Sequence, residues 1–415
     1  MTRAWSCGRA VVTLTAAILT ATAVVSNQTT GDWPQWRGPN RDGKSAETGL
    51  LKSWPAGGPR LVWKASGAGI GYSSMSTSDG RLYTVGARGG REYVHAFDVA
   101  TGRKLWEFDN GAEFSNDRGN GPRGTPTIDG PRLYVLGASG DLTCLDKATG
   151  NRVWSVNVLR TFGGHNPTWG LSESPLVAGN RVLVNAGGPN ASIVALDKTS
   201  GRVLWRTQSD GAGYSSAVLQ RVGDVEQAVF FTASRAVGVD VRDGRLLWEY
   251  PRVANRVANI ATPVVHQNFV FLSSDYGTGA ALLRLEPNGS RVTASEVYFT
   301  KAMRNHHSSS VLVGDTLYGF SSAILTALNF ADGAERWKHR SVGKGSLVYA
   351  DGHLYLFSEN GVVGLAEATP EGYREKGRFE IQQGPLPTWA HPIISNGRLY
   401  LRDQDTIYAY DIKGS

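Results

Sequence analysis

Leu145-Asp146-Lys147-Ala148-Thr149-Gly150-Asn151-Arg152-Val153-Trp154 recurs along this chain. The spacing returns at Asp98, Gly102 and Trp106, at Asp197, Gly201 and Trp205, and at Asp240, Gly244 and Trp248. A further copy has Asn for Asp, at Asn329, Gly333 and Trp337. In each copy glycine stands four residues, and tryptophan eight residues, after the first polar residue. Anchors at 106, 154, 205 and 248 give a period of about 43 to 51 residues, that of a four-stranded propeller blade.

Working outward from that copy, residues 125–128 read as a strand and Asp129-Gly130 as a two-residue hairpin turn. Residues 132–136 and 142–145 are the second and third strands, and Arg152-Val153-Trp154 opens the fourth. Third strands end eight times, near Asp98, Asp146, Asp197, Asp240, Glu286, Asn329, Ala366 and Asp411; the copies at Glu286 and Ala366 are degenerate. Eight endings predict an all-β fold, an eight-bladed β-propeller of four-stranded antiparallel blades. The last blade lacks a fourth strand, and Pro59-Arg60-Leu61-Val62-Trp63-Lys64 has the look of one with no third strand before it. Closure by an N-terminal strand is therefore expected, covering an edge that would otherwise stay open.

Each repeat residue has a structural task. The aspartate accepts nearby backbone N–H groups in an Asx-type turn. The glycine supplies positive φ. The tryptophan fills the wedge between splayed blades, and its indole N–H needs an acceptor. Two residues before the aspartate the chain is small: Ala96, Cys144, Ala195, Gly238, Ala327 and Ala409, with Gly364 in a degenerate copy. Cys144 reads as a small buried hydrophobe.

Composition agrees with a large, turn-rich core: 51 glycines and 12 tryptophans against 3 methionines. The formal charge is +7, but no polybasic run exists, so no nucleic-acid partner is expected. Arg3 and Arg9 precede an uncharged apolar stretch at residues 10–25 with Ala21-Thr22-Ala23 inside it, the pattern of a secretory signal. The expected division is a signal peptide at 1–26, an N-terminal extension acting as a clasp at 27–58, and the propeller at 59–415. A periplasmic or secreted location follows, with no integral membrane segment after cleavage. Cys7 and Cys144 are the two cysteines, so a cleaved chain holds no internal disulfide, and no CxxCH haem motif exists.

The Asp-x3-Gly-x3-Trp repeat resembles the PQQ-like propeller repeat of the quinoprotein alcohol dehydrogenase superfamily, over about residues 60–415. The leader Asp32-Trp33-Pro34-Gln35-Trp36-Arg37-Gly38-Pro39-Asn40-Arg41-Asp42-Gly43 looks like that of exported PQQ-like propellers. The resemblance implies either of two functions. Some members hold PQQ and Ca²⁺ in the funnel; others are non-enzymatic, such as propeller lipoproteins of outer-membrane protein assembly. This chain has no adjacent-cysteine pair, short connections and few acids on the funnel side, and it lacks the lipidation cysteine of the assembly lipoproteins. A non-catalytic binding or scaffold module is expected, with a PQQ-dependent, dehydrogenase-like oxidoreductase as the alternative. The cofactor stays unassigned, PQQ with Ca²⁺ being open but not favoured.

Loops joining an outer strand to the next inner strand gather at one face of a propeller, and here they carry the unusual chemistry. The ligand-binding candidates are Arg123, His165, Trp169, Glu173, Arg256, Arg304, His306, Lys344, Trp389 and His391. Arginine and lysine would pair anions, and the tryptophans would stack on a ring. A protein partner, an acidic small molecule or a glycan is the expected ligand. Adjacent residues such as His306 and His307 point apart, and no metal-ligand spacing such as HExxH occurs, so no metal is expected. No catalytic residue is assigned.

Overall fold

The computed structural model describes Met1, Thr2 and residues 31–414. The apolar stretch read as an export signal lies outside the described residues. Those residues form eight four-stranded antiparallel sheets and one short helix, Val158–Phe162. Blades 1 to 7 span residues 76–112, 127–157, 176–207, 218–250, 264–300, 311–339 and 345–380. Blade 8 joins Ile393–Ser395, Arg398–Asp403 and Thr406–Asp411 to an outer strand from the front of the chain, Arg60–Ala65. Arg60 pairs with Asp411 and Trp63 with Ala409, so the ring is closed by the N-terminal strand.

The repeat motif is a joint between blades. Trp154 faces Cys144 across its own sheet, and a β-bulge follows at once. Burial pushes the Cys144 thiol up to about 11, as suits a packed, unreactive side chain. The rings of Trp63, Trp106, Trp154 and Trp205 then rest on the glycine of the next blade's turn. A Cβ on Gly150 would lie 2.7 Å from Trp106, one on Gly201 2.8 Å from Trp154, and one on Gly244 2.5 Å from Trp205. Indole N–H groups donate across the same seam, Trp63 to Val99 O at 2.9 Å and Trp154 to Lys198 O at 3.0 Å. Trp248 instead donates to Gln227 Oε1 of its own blade, at 2.7 Å. Trp106 finds no acceptor, although the Tyr83 hydroxyl donates to Lys147 O at that joint. The turn itself is held by Asp146, whose Oδ1 accepts from Ala148 N and Thr149 N.

The two degenerate blades differ from the sequence reading. In blade 5 the register pairs Phe269 with Arg284, the place aspartate holds where Arg81 pairs with Asp98. The repeat position is thus Arg284, not Glu286, and the third strand runs on to Asn288 in a longer hairpin. Tyr298 replaces the tryptophan; it faces Leu282, donates to Phe330 O at 3.2 Å and lies against Gly333. In blade 7, His353 pairs with Glu367, so Glu367 rather than Ala366 ends the repeat strand. Gly377 occupies the tryptophan position, opposite Leu365. The missing ring comes from the N-terminal extension: Trp54 N donates to Lys376 O, and its indole packs 5.9 Å from Tyr355 and 5.4 Å from Phe379.

The extension is also more than the expected clasp on the ring. Gly31 O accepts from Ser395 of blade 8, and Trp33 bridges Thr77 of blade 1. Pro34 O accepts from Ile128 of blade 2, and Trp36 Nε1 donates to Thr262, just before blade 5, at 2.8 Å. Arg41 reaches the carbonyls of Ser174, Pro175 and Ala217, ahead of blades 3 and 4. Arg37 reaches Ser309 O and Ser310 O, ahead of blade 6, and Lys44 bridges Tyr349 of blade 7. A segment that touches the inner strand, or its lead-in, of all eight blades lies on the ring axis; residues 31–45 plug the channel. Both arginines are buried, their charge satisfied by carbonyls, and burial lowers them to about 10 for Arg37 and about 9 for Arg41.

Candidate functional site

Above the plug, one cavity of about 460 Å³ opens on the loop face, a size suited to a small ligand. Every blade contributes to its wall. Tyr72 leads into blade 1, Arg118 and Arg123 into blade 2, Trp169 into blade 3 and Tyr214 into blade 4. Val257, Ile260 and Tyr276 belong to the blade 5 region, His306 and His307 lead into blade 6, Lys344 into blade 7 and Trp389 into blade 8. Trp36 of the plug lines it as well, held by Thr262 and packed 4.5 Å from the His391 ring. Three tryptophans and three tyrosines therefore surround a space whose charged lining is Arg118, Arg123 and Lys344, with no carboxylate.

Arg123 is fixed before any ligand arrives. Its Nη1 and Nη2 donate to Gly121 O at 2.6 Å and Gly119 O at 2.8 Å, and its guanidinium lies 5.4 Å from both the Tyr72 and Phe114 rings. Tyr72 donates in turn to Arg118 O at 2.6 Å, locking the loop that carries both arginines. Lys344 is 3.4 Å from Glu359, which also accepts the Trp389 indole N–H. His306 accepts from or donates to the Tyr276 hydroxyl at 3.0 Å, and His307 stacks 5.9 Å from Trp389. Burial, ahead of neighbouring positive charge, lowers the pKa of both histidines, so they are neutral near pH 7.

Of the ten residues expected from sequence, Arg123, Trp169, His306, Lys344 and Trp389 meet in the cavity wall. His391 lies behind Trp36, buried, its Nε2 on His307 O, and burial lowers its pKa to about 3. Glu173 is not in the wall: it is 2% exposed, and its carboxylate accepts Asn185 N–H inside the ring. Burial pushes Glu173 up to about 8 despite that bond and the nearby Arg41 charge. His165 and Arg256 are exposed and outside the cavity; Arg304, also outside it, has its backbone N–H on Ser321 Oγ and its carbonyl on Ser322 N–H, at the turn between the second and third strands of blade 6. The ten expected residues left out Arg118 and His307 as well as the aromatic Trp36, Tyr72, Tyr214 and Tyr276. A signal for two of them existed: Gly-x-Gly-Tyr-Ser-Ser occurs at residues 69–74 and again at 211–216, in the same phase before an inner strand.

A PQQ–Ca²⁺ centre does not fit these residues. Ca²⁺ takes six to eight oxygens, several from carboxylates. The cavity wall offers none, Glu173 is committed elsewhere, and among the described residues no group of three His, Cys, Asp or Glu could hold a metal ion.

Comparison with known proteins agrees with the fold. Residues 90–339 match the PQQ_2 family model, described as outer membrane protein assembly factor BamB. The assembly factor BamB of Shewanella oneidensis is 23% identical over 254 residues, 59% of this chain and 60% of that protein. The chain thus spans about three fifths of that relative's length. Quinohemoprotein alcohol dehydrogenase ADH-IIG of Pseudomonas putida is 30% identical over 138 residues, 31% of this chain and 18% of that enzyme. The crystal structure of BamB from Moraxella catarrhalis superposes with a TM-score of 0.60 at 16% identity, covering 86% of this chain and 98% of that one, a likeness of fold. With the blade repeats, the ring closure and a family match across most of blades 1 to 6, the chain belongs to the PQQ-repeat propeller family of outer membrane protein assembly factor BamB.

Proposed function

We propose that this chain is an exported, periplasmic or secreted propeller that works as a non-catalytic binding or scaffold module, with the funnel as its ligand site. In this reading residues 1–26 are the export signal, 27–58 the extension, and 59–415 the propeller. Among the described residues no helix is long and apolar enough to cross a membrane. The carrying observation is the funnel's chemistry: aromatic faces and cations from all eight blades, with no carboxylate to act as a base or bind a metal. Family membership favours the same reading, because the family model and the Shewanella oneidensis relative carry the name of an outer membrane protein assembly factor. The funnel then recruits an acidic partner or small molecule, through Arg123, Trp169, His306, Lys344 and Trp389 on its wall. His165, Glu173, Arg256, Arg304 and His391 have no direct part in that contact.

Two measurements test this. Cells lacking the chain are expected to show lower levels of assembled outer-membrane proteins, restored by the intact chain. PQQ with Ca²⁺ is expected to change neither the absorbance spectrum nor the melting temperature of the purified protein. A rise in melting temperature with PQQ, together with alcohol-dependent dye reduction, would replace this reading with the oxidoreductase.

A further inference from the structure

The funnel's charged groups are one-sided. The Tyr72, Tyr276 and Ser172 hydroxyls and the Trp36 and Trp389 N–H groups already have partners inside the protein. The charges left in the wall are all cationic; its remaining acceptors are neutral, the hydroxyl oxygens and the imidazole nitrogens of His306 and His307, and no lining carboxylate can accept from a ligand hydroxyl. The cations are also unequal. Lys344 has its counter-ion in Glu359, whereas Arg118 and Arg123 form no ion pair among the described residues. Arg118 is exposed at the rim, and Arg123 is stacked and half-buried beneath it. A half-buried guanidinium without a counter-ion keeps a Coulombic attraction for an anion, strengthened by the low local dielectric.

Resting on the ligand-site reading above, we propose that the funnel takes a small aromatic acid carrying a single carboxylate. The ring lies among Trp36, Trp169 and Trp389. The carboxylate meets Arg118 and Arg123 on the blade 2 wall. One free cationic edge matches one anionic group; a ligand with carboxylates on several sides would leave some of them against aromatic walls. A sugar acid would meet the same arginines, but its hydroxyl protons would lack acidic acceptors. Because the arginine loop and Trp36 are already locked, little ordering is needed on binding.

The test is titration of the full propeller with 2-naphthoate, 2-naphthamide and glucuronate, followed by tryptophan fluorescence and calorimetry. Saturable naphthoate binding is expected, about tenfold or more tighter than the amide, since a charge-assisted bond is lost. Arg118→Gln, whose side chain supports no other part of the loop, is expected to narrow that ratio several-fold with an unchanged melting temperature. Arg123→Gln should narrow it further. Equal affinity for naphthoate and the amide would overturn the assignment. Glucuronate binding as tightly as naphthoate would overturn the aromatic class while leaving the funnel a ligand site. Binding of none of the three would remove both this assignment and the ligand-site reading.

Discussion

Gly150 carries two constraints at once. Its φ of +77° is costly for any residue with a Cβ, and that Cβ would sit 2.7 Å from the Trp106 ring of the preceding blade. Gly130 has the first constraint alone, with φ +54° and nothing within 4 Å of a built Cβ. Gly150→Ala is therefore expected to destabilise by about 2–4 kcal/mol, the sum of backbone strain and overpacking, and Gly130→Ala by about 1 kcal/mol. Urea unfolding of the two variants reads the difference; equal losses would mean that the inter-blade stacking of tryptophan on glycine is absent. The positive φ at such turns was legible from Asp-x3-Gly. The stacking was not, because a repeat within one blade says nothing of which neighbour its glycine faces. The same limit hid Glu173: its position before an inner strand marked it as a funnel acid, but the Asn185 N–H bond turns it into the ring instead.

Element by element, the blade seams are filled by whatever ring is available. Tyr298 serves blade 5 and Trp54, drawn from outside the blades, serves blade 7. Trp54→Ala is expected to cost about 3–5 kcal/mol, as for other buried aromatic truncations, although the residue belongs to no strand. A loss below about 1 kcal/mol in equilibrium unfolding would show that blade 7 is closed without it. Five regular copies made the blade count legible. Blades 5 and 7 were misaligned because their hairpins differ in length, so the spacing pointed to Glu286 and Ala366 where the ladders place Arg284 and Glu367. Half of the expected site residues reached the funnel for a related reason. Blade phase locates a loop, but packing determines which side chain faces the axis. Tyr276 enters the wall beside a turn between middle strands of blade 5, a loop that the phase argument did not consider.

At the scale of the whole molecule, the front of the described chain does three jobs: residues 31–45 plug the axis, Trp54 fills a seam, and Arg60–Ala65 completes the last blade. The plug also sets the depth of the funnel through Trp36, so the ligand site and the ring closure share one segment. The closure is the feature on which fold and site both depend, and it places Arg60 beside Asp411, their charges 2.6 Å apart. Cysteines introduced at these two positions, in a chain whose Cys7 and Cys144 are alanine, report on it directly. The closed ring predicts rapid formation of one intramolecular disulfide on mild oxidation and a raised melting temperature, because the bond spans nearly the full length of the propeller. Cysteines that stay reduced in the folded protein, or that link only between molecules, would contradict the closure.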